Sequence, residues 1–519
     1  MLARAVVLIA AIGVGAFGLH RGTWAVGGSD SSCYALMADA LAQGRWQPAT
    51  ALALEAPWPD PSRTFAPGGF IPSSTVPGAA SPICTPGFAV LLAPLRAMAG
   101  RDAIFYLTPL AGLWLVWLTY LLGEKLSGVL GGTLAAILVA ATPVLLFQVV
   151  QPMNDITVAA LWTAALVMLT KPHRAESRAS VMRANDASGA LIRVGAAGLV
   201  AGIAVFVRPN LAPIALVMAV WLAMVPDAGW RAAFMFAVAV VPGVAATAVF
   251  NAVLYGHPLA SGYGSAGDLF AVSHISANLR NYGSAILHTQ LGFPLIGLAA
   301  PFVIDVTKRS IAWLIAGIAG VVLATYLLYT PFPEWWYLRF FLPVLPMTTA
   351  LAVAVIVKGT RRPAVAVLVA VLVAAVMLNS SATGQAADLH RLEHRFRATA
   401  EVVARRLPDN AVFITVWESG GIRYHAGREA IMWDALAPDW LDRAVFWLKA
   451  RGLEPFIVIE EWEEPLFRQR FGGHADIAAL DWPPRFQIER QVRIYDPRDR
   501  QRYLAGDGVP TETILPPRR

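Results

Sequence analysis

The chain is 519 residues long, 57% hydrophobic and only 14% charged, with a formal net charge of +7. Soluble domains carry about 25% charged residues, so the deficit excludes an ordinary water-soluble protein and makes lipid the main solvent. The positive balance does not point to nucleic acid, because the basic residues fall between apolar runs and form no patch interleaved with aromatics.

Residues 2–19 carry one early Arg4 and an apolar run without a small-x-small cleavage site, which predicts an uncleaved first helix rather than a signal peptide. Further candidate spans lie at 103–122, 129–150, 156–170, 194–207, 211–225, 232–254, 285–304, 311–329, 338–357 and 364–378, about eleven in all. Arg208-Pro209-Asn210 breaks two of them and reads as a hairpin tip. Residues 88–99 are apolar but short and interrupted by Pro94, so they read as an interfacial or re-entrant helix.

That choice sets the sidedness. With 88–99 not crossing, Lys125, Lys171, Arg174, Arg178, Arg183, Arg193, Arg231, Lys308, Arg309, Lys358, Arg361 and Arg362 all fall in cytoplasmic loops, as the positive-inside rule requires. The N-terminus is then cytoplasmic in an inner-membrane protein. The outside face collects the loop at 21–101, the segments 151–155, 208–210, 255–284 and 331–337, and everything after Asn379. The first of these loops is rich in Pro and aromatic residues, which favours a packed interfacial structure over a floppy linker. It also holds the only two cysteines, Cys33 and Cys84. An oxidising compartment permits a bridge between them; two separate small thiols are the alternative.

After Asn379 the composition changes. Residues 390–407 have a charged amphipathic helical pattern, 440–450 are helical, and 411–417, 455–459 and 491–495 read as strands. Helices alternating with short apolar strands predict a small α/β domain. The expected organisation is a polytopic transmembrane helical bundle at 1–381, with interfacial helices in the loop at 21–101, and an extracytoplasmic α/β accessory domain at 382–519.

Chemistry is sought on the outside face. Asp30 follows the first helix in the setting Gly27-Gly28-Ser29-Asp30, and reads either as a turn residue or as a base that takes a proton from an attacking hydroxyl. Asp155 opens a helix, either as its N-cap or as a second carboxylate that orients a substrate or a divalent cation. Arg208 is either a snorkelling interfacial anchor or a phosphate holder, and Arg339, just past Trp335-Trp336-Tyr337, is a second candidate to hold a phosphate. The Trp335-Trp336-Tyr337 cluster itself reads as an aromatic belt or as a binding platform. A phosphate-cradling glycine loop, a helical His pair and a nucleophile elbow are all missing from the sequence.

The order of these features resembles the GT-C class of integral-membrane glycosyltransferases. The likeness is to the branch holding the protein O-mannosyltransferases and the lipid A aminoarabinose transferases (glycosyltransferase family 39-like). It rests on Asp30 with Tyr34 following, the interfacial run from Pro86-Gly87-Phe88, the turn at 120–128, Asp155, Phe206-Val207-Arg208-Pro209, and Leu338-Arg339-Phe340-Phe341-Leu342-Pro343. One departure is Ser31, where the family often pairs a second acid with the first.

The resemblance implies inverting transfer of a sugar from a polyprenyl-phosphate donor to an extracytoplasmic acceptor, which is a glycan, lipid or protein. Asp30 and Asp155 would be catalytic, and Arg208, Arg339, Tyr34 and Tyr337 would bind substrate. A divalent cation is compatible with two acids, and no other cofactor is implied. A lipid or solute transporter and a non-catalytic envelope-assembly protein are the alternatives. The sequence puts its polar groups at span ends rather than deep within spans, which argues against transport.

Overall fold

A computed structural model describes residues 1–170, 183–226 and 228–515. Lys171, Arg174 and Arg178, expected in a cytoplasmic loop, lie outside the described residues. The helices used below are, in chain order, α1 (Leu2–His20), α2 (Gly28–Ala42), α3 (Pro86–Ala99), α4 (Leu107–Ala140), α5 (Pro143–Val149), α6 (Asn154–Leu169), α7 (Arg183–Val207), α8 (Ala212–Met224), α9 (Gly229–Tyr255), α10 (Ile275–Gln290), α11 (Val306–Leu328), α12 (Leu345–Thr360), α13 (Pro363–Leu378), α14 (Ser381–Arg406), α15 (Leu441–Ala450) and α16 (Glu464–Phe471). The chain divides into two compact units. One comprises Met1–Gly22, Phe105–Val249 and Gly264–Leu389; the other comprises Thr23–Ile104, Phe250–Tyr263 and His390–Arg519.

The first unit is helical because its long apolar runs must satisfy their own backbone groups away from water. Among the described residues, five helical stretches are long and apolar enough to cross a membrane, and up to nine if each sharply bent helix pair is one span. This is the architecture of a multi-pass membrane protein. On α9, Trp230, Phe234, Val238 and Val241 point outward and exposed, as lipid-facing side chains do.

The expected count of about eleven spans is not reproduced as eleven separate crossing helices. α8 has 13 residues and α13 has 16, about 20 and 24 Å of rise against a hydrocarbon core of about 30 Å. The spans expected at 103–122 and 129–150 run into one another as α4. It is broken at Ser127 and at Gly128, whose φ of +78° only glycine adopts without strain. α5 and α6 then meet at a bend of 117°.

The second unit is built around a six-stranded sheet of order β4-β3-β5-β7-β6-β8. Preceding it in the chain are β1 (Phe70–Pro72) and β2 (Ala80–Pro82), an antiparallel pair. The sheet strands are β3 (Ala411–Ile414), β4 (Glu429–Ile431), β5 (Glu454–Glu460), β6 (Phe486–Ile488), β7 (Val492–Tyr495) and β8 (Glu512–Ile514). β3 pairs in parallel with both β4 and β5, while β7 is antiparallel to β5.

Alternation along the strands dictates the layers. Phe413, Phe456 and Val458 face Val402 and Val403 of α14 and Leu407 just beyond its end. Val412, Ile414, Ile457 and Ile459 face Leu441, Val445 and Leu448 of α15 and Phe467 and Phe471 of α16. Trp58 and Phe65 from the first loop join that second layer. The loop's aromatics thus complete a core whose other walls lie almost 400 residues further on.

α2 and α3 are held together three ways. Cys33 and Cys84 form a disulfide, Tyr34 packs edge-on against Phe88 with centroids 5.0 Å apart, and Arg96 pairs with Asp39 at 2.7 Å. The sequence left the cysteines open; the structure joins them. Closing a loop of 51 residues by sequence separation is worth about 4 kcal/mol on the chain-entropy account. Cys33→Ser is therefore expected to make the 34–83 segment markedly more sensitive to protease than in the wild type. Unchanged cleavage would remove the disulfide from the stabilising set.

Gly69 is the other fixed point. Its φ is +87° and an added Cβ would collide with the Ser29 carbonyl oxygen, one residue before Asp30. Gly69→Ala is expected to cost about 1–3 kcal/mol through strain and overpacking, read as a fall in thermal stability.

Candidate functional site

In the first unit, three residues singled out from sequence converge. α7 ends at Val207, and Arg208 turns out of the helix with φ −147° and ψ 85° ahead of Pro209. Its Nη1 donates to Asp155 Oδ1 at 2.5 Å. Arg339, in the 3-10 turn Trp335–Phe341, brings its Nη1 to 3.9 Å from the other Asp155 oxygen. The Asp155 side chain is 2% exposed, Arg208 12% and Arg339 15%.

The N-cap of α6 is Met153, not Asp155, which sits inside the first turn. Its carboxylate faces the arginines while favourably placed in the positive end of the helix dipole. Asn154 Nδ2 reaches the Val207 carbonyl at 3.4 Å, tying the start of α6 to the residue before Arg208.

Aromatic rings line the two guanidiniums. Arg208 lies 5.2 Å from the Phe340 centroid and 5.6 Å from Tyr326. Arg339 lies 5.4 Å from Phe340 and 5.1 Å from Tyr337. Tyr326 stacks on Phe340 at 4.7 Å and its hydroxyl accepts from Asn210 Nδ2 at 3.0 Å. Rings at this distance stabilise a cation and exclude water, so the site pairs fixed charge with low dielectric.

Tyr326, Phe340 and Asn210 were not among the residues expected to act. An aromatic inside an apolar span leaves no polar signal in the sequence; only the neighbours of Arg208 and Arg339 could have pointed to them. Trp336 stacks on Phe147 at 5.5 Å, and Trp335 Nε1 donates to Gln385 at 2.8 Å. Both therefore have packing partners within the protein.

Asp30 and Tyr34 belong to the second unit. Asp30 is in the first turn of α2, half-buried, and Tyr34 is buried one turn on. Around them the loop after β3 packs closely: Ser419 Oγ accepts from the Gly68 N–H at 3.0 Å, and a Cβ on Gly420 would strike the Ser32 hydroxyl.

The same loop opens a second set of buried charges at the carboxyl ends of β3 and β5. Glu418, Glu460 and Glu463 are 0%, 3% and 1% exposed. Arg395 donates to Glu460 at 2.8 Å. Glu463 accepts the Glu460 N–H at 3.0 Å and the Trp417 N–H at 3.3 Å. Among the described residues, both Glu418 oxygens lack a hydrogen-bond partner. Burial, reinforced by the neighbouring Glu460, pushes the Glu418 carboxyl well above its ordinary value, and burial raises Glu463 to about 7. Among the described residues, no group of three or more His, Cys, Asp or Glu side chains is arranged to hold a metal ion.

The fold resembles that of the GT-C class of integral-membrane glycosyltransferases, as the sequence motifs imply. The solved structures it matches include ArnT, a lipid A aminoarabinose transferase, from Cupriavidus metallidurans bound to undecaprenyl phosphate. That match has 14% identity and a TM-score of 0.56, covering 90% of this chain and 94% of ArnT. The archaeal oligosaccharyltransferase AglB from Archaeoglobus fulgidus, in complex with an inhibitory peptide and a dolichol-phosphate, matches at 14% identity and a TM-score of 0.54, covering 92% of this chain and 72% of AglB. No family model matches the sequence, and no curated protein matches it by sequence. At such identities the likeness is one of fold.

Proposed function

We propose that this protein is a membrane glycosyltransferase that moves a sugar from a polyprenyl-phosphate donor to an extracytoplasmic acceptor with inversion. The observation that carries the reading is the convergence of Arg208 and Arg339 on Asp155 inside an aromatic cage. Two guanidiniums held at one point suit a phosphate, to which arginine donates paired hydrogen bonds.

In this reading the donor's phosphate sits on Arg208 and Arg339, with Tyr337 and Phe340 beside them. Asp30 takes the proton of the acceptor hydroxyl. The hydroxyl oxygen attacks the anomeric carbon as the bond from that carbon to the phosphate oxygen breaks. The leaving lipid phosphate keeps the electron pair, and its charge is stabilised by the two arginines. One displacement inverts the anomeric centre. Asp155 acts through the arginines, as a buried carboxylate that holds both guanidiniums in place. Tyr34, on the same helix as Asp30, helps set that helix against α3.

The reading places the chain in the cytoplasmic membrane with a cytoplasmic N-terminus, a membrane domain at 1–381 and an outward accessory domain at 382–519. The fold neighbours support a lipid-phosphate donor, since one is bound to undecaprenyl phosphate and another to a dolichol-phosphate. The test compares lipid-linked sugars and surface glycans in cells with and without the protein. A polyprenyl-phosphate sugar should accumulate and one glycan should lose a residue when the protein is removed. Arg208→Ala should reproduce that pattern. Unaltered glycans together with altered flipping of lipid or solute in vesicles would replace the enzyme with a transporter.

A further inference from the structure

The second unit contains a cavity of about 420 Å³ that the proposed reaction does not use. One face of α14 supplies Arg397, Glu401 and Arg405, spaced four apart and therefore stacked along the helix. Ala400 and Ala404 lie between them and leave the room that longer side chains would fill. The junction after α3 supplies Arg101 and Asp102, and His425 completes the lining.

The charges in this cavity are not all spent on one another. Arg397 grips both Asp102 oxygens at 3.1 and 3.0 Å and reaches Glu401 at 3.3 Å. It thereby engages both carboxylates of the cavity. Among the described residues the Arg101 guanidinium meets only a carbonyl: its Nη1 donates to the His425 oxygen at 3.2 Å, and its buried Nε has no hydrogen-bond partner. Arg405 makes no hydrogen bond or ion pair among the described residues. His425 accepts the Val26 N–H on Nε2 at 3.1 Å, and burial with Arg397 nearby holds its pKa down to about 4. It is neutral and adds no charge of either sign. Three guanidiniums against two carboxylates leave the cavity positive.

We propose that this cavity is an anion site for a phosphate ester, gripped by Arg101 and Arg405. Its volume falls in the range of ligand pockets, roughly 300–1,000 Å³, so it has space for a phosphate and part of what the phosphate is esterified to. Arginine is the side chain that best matches phosphate oxygens. The phosphate comes either from a lipid headgroup or from a soluble ester, and the two sources share this chemistry.

The test uses the full chain purified in neutral detergent, titrated calorimetrically with dihexanoyl phosphatidate and, separately, with inorganic phosphate. Arg405→Ala removes an unpaired, surface-reaching guanidinium and should leave folding unchanged. It is expected to weaken binding about tenfold or more, with Arg405→Lys in between. Arg208→Ala should not alter this binding, which separates the cavity from the site in the first unit. Phosphatidate binding without phosphate binding assigns a lipid headgroup, and the converse assigns a soluble ester. Equal binding by wild type and Arg405→Ala, or no saturable binding of either probe, overturns the proposal.

Discussion

Asp30→Asn is expected to lower sugar transfer by about 10²- to 10⁴-fold, the usual contribution of a positioned general base. Expression and membrane insertion should stay at wild-type levels. Asparagine keeps the shape and an accepting oxygen but cannot take a proton, so the loss should fall on kcat rather than on donor binding. Asp155→Asn should behave differently. Its carboxylate pairs with Arg208 at 2.5 Å and is 2% exposed, and removing one partner of a buried pair costs roughly 3–5 kcal/mol because the other charge is stranded. That variant is expected to lose thermal stability and donor affinity as well as turnover. Measuring turnover and unfolding on the same preparations separates the two aspartates. Wild-type turnover by Asp30→Asn would end its assignment as the base, and unaltered stability of Asp155→Asn would end the supporting role given to Asp155.

The buried carboxyls of the second unit should make its stability depend on pH. A carboxyl whose pKa is raised on folding binds more protons folded than unfolded, so it stabilises at low pH and that contribution is lost as pH rises. For Glu463 the window runs from its ordinary 4.5 to about 7, with an effect on the order of 3 kcal/mol. Glu418, raised by burial and the neighbouring Glu460, contributes a fall of the same sign.

His425 runs the other way. Its pKa falls from 6.5 to about 4, so its contribution is present above 6.5 and lost as pH drops. Over most of the shared range the two nearly cancel, and a wild-type profile alone would look deceptively flat. The informative quantity is the difference between wild type and Glu463→Gln, followed by proteolysis of the full chain at graded pH. Wild-type stability relative to that variant should fall by on the order of 3 kcal/mol between about pH 4.5 and 7. Glu418→Gln, which loses no hydrogen bond among the described residues, should stabilise the unit increasingly as pH rises beyond the ordinary glutamate value. A pH-independent difference for Glu463→Gln would show that its carboxyl titrates normally.

The helices were legible because lipid imposes long apolar runs, and β3, β5 and β7 because burial on both faces of the sheet left short apolar ones. β4, β6 and β8 have three residues each and carry no run to read. The partnership of Trp58 and Phe65 with strands beyond residue 410 is a tertiary fact with no local trace. At the site, Arg208 and Asp155 stood out as charges beside apolar spans, and the structure joins them. Tyr326 and Phe340 did not stand out, since an aromatic in a span looks like any other lipid-compatible residue. Glu418 and Glu463 were passed over for the opposite reason: a glutamate in a polar tail reads as solvated, and only the fold reveals that both are enclosed.

The bridge between Cys33 and Cys84 also permits an order in time. Thiols pair where the compartment is oxidising, and both belong to the first sixth of the chain to be synthesised. The staple on α2 and α3 can therefore close while α6 and the Arg208 turn are still unmade. The helix bearing Asp30 would then be a finished part awaiting the rest of the catalyst. In a cell unable to oxidise thiols, the chain should be degraded and its steady-state level should fall.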